Sequence, residues 1–320
     1  VLLLIASVIA NHLIGLWVHR RREAAHSTAP IVTLGVLINL GVLGWYKYAN
    51  FFVDNLAVLT GTDLRLDAIL LPLAISFYTF QQIAYLVDVA RGDVVPGNFW
   101  RYATFVIFFP QLIAGPIVHY REMMPQFFGR DLGRFATQNL TVGLVIFAIG
   151  LFKKTVIADS AATFSTPVFD AAAAGETVML LAAWKAAICY TIQLYFDFSG
   201  YSDMAIGLGR MFGIRLPLNF HSPLRAASII EYWRRWHMTL QQFIVSYMYQ
   251  PLLIPLTRWA AVRGYGRWRS FGVATAAPTV VLFVVIGLWH GAAWTFVIFG
   301  LMHGSYLAIN EFWRAYRRRD

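Results

Sequence analysis

Thr279-Val280-Val281-Leu282-Phe283-Val284-Val285-Ile286-Gly287-Leu288-Trp289-His290-Gly291 places an ionisable imidazole inside an apolar stretch that runs on to Leu301. A segment of that length without Asp, Glu, Lys or Arg reads as membrane-spanning, because about 20 mostly apolar residues cross a bilayer. A polar side chain at that depth is costly unless it is paired or used. Histidine has an ordinary pKa of about 6.5, so it exchanges a proton near neutrality without a large shift. His290 is therefore the first candidate for a functional residue.

Composition extends this reading to the whole chain. Of its 320 residues 58% are hydrophobic and 13% charged, whereas a soluble domain carries about 25% charged residues. Eleven Trp, fifteen Tyr and twenty-five Phe suit a chain with many membrane interfaces, where amphipathic rings lie at headgroup level. The formal charge of +10 argues little for nucleic acid, because Arg20-Arg21-Arg22, Lys153-Lys154 and Arg317-Arg318-Arg319 flank apolar runs as orienting charges do. Cys189 is the only cysteine, which excludes an intrachain disulfide and a cysteine metal cage; it reads as packing. The first apolar run ends in a basic cluster instead of a small-residue cleavage site, as a span of a trimmed chain does.

Spans are expected at 1–18, 31–53, 69–87, 140–157, 178–196, 278–290 and 292–310, in one integral-membrane domain over 1–320. The fold class is an all-α polytopic membrane protein. Positive charge after the first span puts that end in the cytoplasm. The run 105–116 is short, apolar and interrupted by Pro110, Gly115 and Pro116, with Arg91 and Arg101 before it and Arg121, Arg130 and Arg134 after it. It reads as a re-entrant segment walling a cavity, since irregular backbone at depth must be buried in protein or line water. From Ile229 to Gln250 a helical period puts Trp233, Trp236, His237, Leu240, Ile244 and Tyr247 on one face.

Three polar clusters could carry chemistry. Tyr195 to Asp203, with Asp197 and Asp203, is placed at the end of a span, either as a loop cap facing water or as a polar wall of a site. Trp233-Arg234-Arg235-Trp236-His237 is either an interfacial anchor or a site in which His237 enters a cavity and an Arg holds an anionic donor. The third is His290. Were its helix continuous, His303 would lie roughly 140° around and about 20 Å along the axis, too far to share a metal or haem. No paired metal-ligand spacing occurs in a span, so no bound metal or cofactor is expected. What is left for His290 is taking a proton from a hydroxyl, worth about 10² to 10⁴ in rate.

Together with 71–81, 108–117, 195–209, 233–240 and 287–294, these residues resemble the membrane-bound O-acyltransferases, specifically the bacterial branch that serves alginate O-acetylation. The resemblance runs in family order through nearly the whole chain. It implies a ring of tilted transmembrane helices with re-entrant segments around a central tunnel. It makes His290 the catalytic histidine and His237 the occupant of the family's second, upstream position. Trp289, Gln111, Asp197, Arg234 and Arg235 would line or support the tunnel. It further implies an O-acyltransferase of the bacterial inner membrane. The acyl group, most simply acetyl from acetyl-CoA, would pass from a cytoplasmic thioester to an extracytoplasmic transferase partner that modifies a polysaccharide. Relatives that transfer D-alanyl groups to teichoic acid are less similar at 108–117. The chain departs from the branch at Ile244-Val245-Ser246-Tyr247 and Pro251-Leu252-Leu253-Ile254, where an Arg-Asp pair and a Pro-Leu-Gly-Gly turn are common. Full-length relatives extend further at both ends, so a truncated domain is expected. The alternatives are a proton-coupled transporter or flippase with an intramembrane His, Asp and Lys pathway, a D-alanyl-type transfer to a cell-envelope polymer, and a scaffold subunit whose partner does the chemistry.

Overall fold

The computed structural model describes residues 1–113, 115–129 and 136–317. Among these the chain is helical, with no strand. In order, the helices are α1 (Leu2–Glu23), α2 (Ala29–Thr60), α3 (Ile75–Arg91), α4 (Phe99–Ile107), α5 (Phe109–Leu112), α6 (Tyr120–Phe127), α7 (Thr137–Phe152) and α8 (Asp159–Ala173). They continue with α9 (Leu180–Met211), α10 (Ile229–Arg235), α11 (Met238–Ile244), α12 (Gln250–Val262), α13 (Arg267–Phe271), α14 (Ala277–His290) and α15 (Trp294–Arg317). π-helical turns at Lys153–Ala158, Val245–Tyr249 and Gly272–Ala276 join α7 to α8, α11 to α12 and α13 to α14. Among the described residues four stretches are long and apolar enough to cross a membrane: Leu2–Glu23, Ala29–Thr60, Thr137–Ala173 and Arg267–His290. The chain forms two compact units, one from 1–106 with 222–320 and one from 107–221.

In the first unit, local signals set the helix limits. Arg20, Arg21 and Arg22 occupy the last turn of α1, where cations meet the partial negative charge of the helix end. α2 carries a proline in its first turn and stops at Gly61, whose left-handed φ of 65° suits a residue without Cβ. A buried polar clasp fixes α1, α2 and α3 together. Asn11 Nδ2 donates to Gln82 Oε1 at 2.9 Å, Asn39 Nδ2 donates to Asn11 Oδ1 at 2.7 Å and to the Gly35 carbonyl at 2.8 Å, and Ser7 Oγ donates to Gln82 Oε1 at 2.6 Å. Between apolar surfaces such bonds set register, because a slipped helix would strand them. Replacing Asn39 with Ala leaves Asn11 short of a partner and is expected to cost about 1–3 kcal/mol. Thermal unfolding in detergent measures it.

In the second unit, α7, its π turn and α8 pack against α9 so closely that glycines meet backbone. A Cβ on Gly150 would stand 2.6 Å from the Gly200 carbonyl oxygen, and one on Gly200 would stand 2.7 Å from that of Gly150. The π turn presents both lysines to α9 and α8. Lys153 pairs with Asp203 at 2.5 Å, and Lys154 with Asp159 at 2.6 Å and Asp197 at 2.8 Å. This corrects two expectations. The helix expected to end at 157 continues to Ala173, and the cluster from Tyr195 to Asp203, expected at the end of a span, lies inside α9. The ion pairs explain why the helix carries on: each carboxylate meets an ammonium, and no turn is needed to bring it to water. At 32 residues α9 is about 48 Å long, beyond the roughly 30 Å of a hydrocarbon core.

The segment expected to be re-entrant is indeed broken: α4 stops at Ile107, Phe108 is extended, and the single turn of α5 begins with Pro110 near its start. Ala114, Arg130, Arg134, Arg318 and Arg319, which entered that reading and the flanking-charge reading, lie outside the described residues.

Candidate active site

The continuous helix expected from Ile229 to Gln250 is two helices with a break at its most informative residue. Ser228 starts α10 by accepting the Glu231 N–H at 3.1 Å, and Glu231 reaches back to accept the Ala227 N–H at 2.9 Å, an exchange close to a capping box. The Ala227 N–H and the Arg235 guanidinium hold the Glu231 carboxyl below the usual carboxylate range, so the pair stays ionised at neutral pH. The helix ends when Trp236 turns extended and His237 takes φ 44°, ψ 53° before α11 begins. A non-glycine residue in the left-handed region is uncommon, although histidine is among those that enter it most readily, and such residues gather at functional sites. The break takes His237 off the stripe that a continuous helix would give and buries it, with 2% of its surface accessible.

His290 is the last residue of α14, and the chain leaves the helix at once, with Gly291 extended at φ −165°, ψ 144°. α15 then returns antiparallel along α14, joined through glycine at Gly287, Gly300 and Gly304. The Phe296 carbonyl packs on Gly287, and the Val280 Cα would be 2.8 Å from a Cβ on Gly304. This hairpin replaces the straight helix assumed in separating His290 from His303. The two imidazoles instead flank Phe299, whose ring is 6.2 Å from His290 and 4.5 Å from His303. No cluster of three potential metal ligands occurs among the described residues.

Trp289 brings the two candidate histidines into one site. Its ring centroid is 4.9 Å from that of His290 and 6.5 Å from that of His237, and it stacks on Phe80 at 5.1 Å. Phe80 in turn stacks on Phe243 at 4.5 Å. Trp289 itself is buried, and its indole N–H has no hydrogen-bond partner among the described residues. His290 as a whole residue is more accessible than His237, and it makes no hydrogen bond to a described residue.

Two cavities adjoin these groups. One of about 270 Å³ is lined by Trp233, Arg234, Trp236, His237, Phe283 and Glu311 among others. The second, about 430 Å³ and mostly apolar, touches Tyr48, Phe80, Phe243, Leu288 and Trp289. Leu240, Ile244 and Ile286 belong to both linings and form a shared wall. His290 lines neither.

The residues singled out from sequence thus divide. His237, Trp289, His290, Arg234 and Arg235 share the first unit. Arg234 borders the His237 cavity, while Arg235 is held by Glu231 at 2.6 Å. Gln111, buried in α5, and Asp197, paired with Lys154, belong to the second unit. Sequence reasoning passed over Lys47 and Tyr48 of α2, which donate to the carbonyls of Trp289 and Leu288, the latter at 3.0 Å. The signal was present, since Lys47 is a lone cation in the apolar run 31–53.

Comparison with known proteins gives the family of the chain. The membrane-bound O-acyltransferase family model matches residues 90–319. A peptidoglycan O-acetyltransferase of Helicobacter pylori is 40% identical over 97% of this chain and 60% of its own length. A protein of Azotobacter vinelandii named "Probable alginate O-acetylase AlgI" is 42% identical over 96% of this chain and 58% of its own. A teichoic acid D-alanyltransferase of Lacticaseibacillus rhamnosus is 24% identical over 94% of this chain and 71% of its own length. The chain spans about three fifths of the length of the first two of these relatives. With the family model covering more than two thirds of it and relatives 40–42% identical along nearly all of it, this chain belongs to the membrane-bound O-acyltransferase family.

Proposed function

We infer that this chain is the histidine-bearing part of an inner-membrane O-acyltransferase that passes an acetyl group from a cytoplasmic thioester, acetyl-CoA, toward an extracytoplasmic transferase acting on a cell-envelope polysaccharide. The observation that carries this is the placement of His290, which makes no hydrogen bond to a described residue, one indole away from a buried His237 in the left-handed region. In the step proposed, the His290 imidazole takes the proton of the accepting hydroxyl as its oxygen attacks the thioester carbonyl. The C–O bond forms, the C–S bond breaks, and the departing thiolate takes the proton back from the imidazolium. His237 orients or polarises the carbonyl through a ring N–H, and Arg234, at the edge of its cavity, suits the phosphates of the donor. A supporting role for Gln111 and Asp197 belongs to the same reading.

O-acetyl transfer is preferred to D-alanyl transfer because the O-acetylating relatives are 40–42% identical and the D-alanyl one 24%. The test uses the full-length protein in sealed vesicles with acetyl-CoA labelled in the acetyl carbon. Label transferred to a hydroxyl acceptor on the opposite side supports the reading. Proton flux that needs no acyl donor would establish the transporter instead.

A further inference from the structure

On the reading that His290 is the base, we propose that Lys47 and Tyr48 of α2 are its positioning residues, gripping the last carbonyls of α14 so that the imidazole is held against the edge of Trp289. The final carbonyls of a helix have no partner within it and must find one elsewhere. Here the Gly287 carbonyl accepts the N–H of Gly291 at 3.2 Å, the Leu288 carbonyl accepts the Tyr48 hydroxyl at 3.0 Å, and the Trp289 carbonyl accepts the Lys47 ammonium. Both side-chain donors come from consecutive residues of one other helix, and their acceptors are the two residues immediately before His290.

Three features make this a grip and not incidental neutralisation of a buried lysine. The ammonium stands at the negative end of the α14 dipole, where a cation is favoured. It also approaches Ser76 Oγ of α3 at 3.4 Å and lies 5.4 Å from the Trp289 ring centroid, so three elements converge on it. Beyond His290 the chain departs in extended form, so nothing further along α14 steadies the ring. What fixes its direction is the hold on residues 288 and 289 together with the Trp289 and Phe299 rings at its sides.

The experiment compares Lys47→Met, Lys47→Arg and Tyr48→Phe in the full-length protein, alone and combined with His290→Ala. It reads acetyl transfer from acetyl-CoA and, by mass spectrometry, the rate at which diethyl pyrocarbonate modifies His290. Displacing a reacting group by about 1 Å costs on the order of 10²-fold, so Lys47→Met should lower kcat by about that factor while KM for the donor stays within about two-fold. Lys47→Arg should recover most of kcat, the carbethoxylation rate of His290 should change in Lys47→Met, and Lys47→Met should add no further loss to His290→Ala. A kcat within about two-fold of the parent, or losses that add to those of His290→Ala, would overturn the proposal. If Lys47→Met does not fold, Tyr48→Phe, which deletes one hydroxyl, is judged by the same criteria. Should His290→Ala itself keep full activity, the base reading fails. The positioning claim then stands or falls on the carbethoxylation rate in Tyr48→Phe, which needs no acyl donor and leaves the Lys47 charge in place: a changed rate supports it and an unchanged rate overturns it.

Discussion

His290→Ala in the full-length protein is expected to lower acetyl transfer about 10²- to 10⁴-fold, the range by which a positioned base accelerates removal of a hydroxyl proton. The loss should fall on kcat. The ring makes no hydrogen bond to a described residue, so its removal strands no buried polar partner. Thermal stability should therefore fall only by what the contacts with the Trp289 and Phe299 rings supply, aromatic pairs of this kind being worth about 0.5–1.5 kcal/mol. That combination separates a base from a structural histidine. His237→Ala should behave differently: it removes a buried ring from a left-handed turn that shapes one end of the Trp233 and Arg234 cavity, and both stability and activity should suffer. Near-parental kcat for His290→Ala, measured with labelled acetyl-CoA, would remove the proposed role.

Much of this site was legible in the sequence because cost is legible there. An imidazole in an apolar run, and an aromatic and cationic pentapeptide beside a second one, are expensive, and the structure brings Trp289, His290 and His237 together. What periodicity could not reveal was where helices break. Residues 229–250 repeat as one amphipathic helix would, yet Trp236 and His237 interrupt it, because cavity and ring contacts override the local period. The same limit runs the other way in α9. Tyr195 to Asp203 reads as an exit to water because nothing in local spacing pairs its carboxylates with Lys153 and Lys154, some 40 to 50 positions earlier. Lys47 was missed for a simpler reason. It obeys the rule that singled out His290, a lone ionisable group at depth, but its partners are backbone carbonyls, which carry no sequence signature.

Gly300→Val is expected to be the most damaging substitution remote from the chemistry. A Cβ there would press into the Phe283 carbonyl and stand 2.8 Å from the Val284 Cα, and backbone cannot step aside as a side-chain tip can. The antiparallel pair α14 and α15 must then separate. Overpacking of this kind costs about 1–3 kcal/mol or more. Separation also moves Phe299, the residue before Gly300, whose ring flanks both His290 and His303. Shifts near 1 Å at a reacting group cost about 10²-fold, so activity should fall further than stability. Gly41→Ala makes the matched control: a Cβ there meets nothing within 4 Å, and alanine in a helix interior is favoured over glycine by about 1 kcal/mol. Unfolding temperature and acetyl transfer of the two variants should thus move in opposite directions or not at all for Gly41→Ala. A Gly300→Val protein with parental values of both would mean that the close contact between α14 and α15 is not what holds His290 in place.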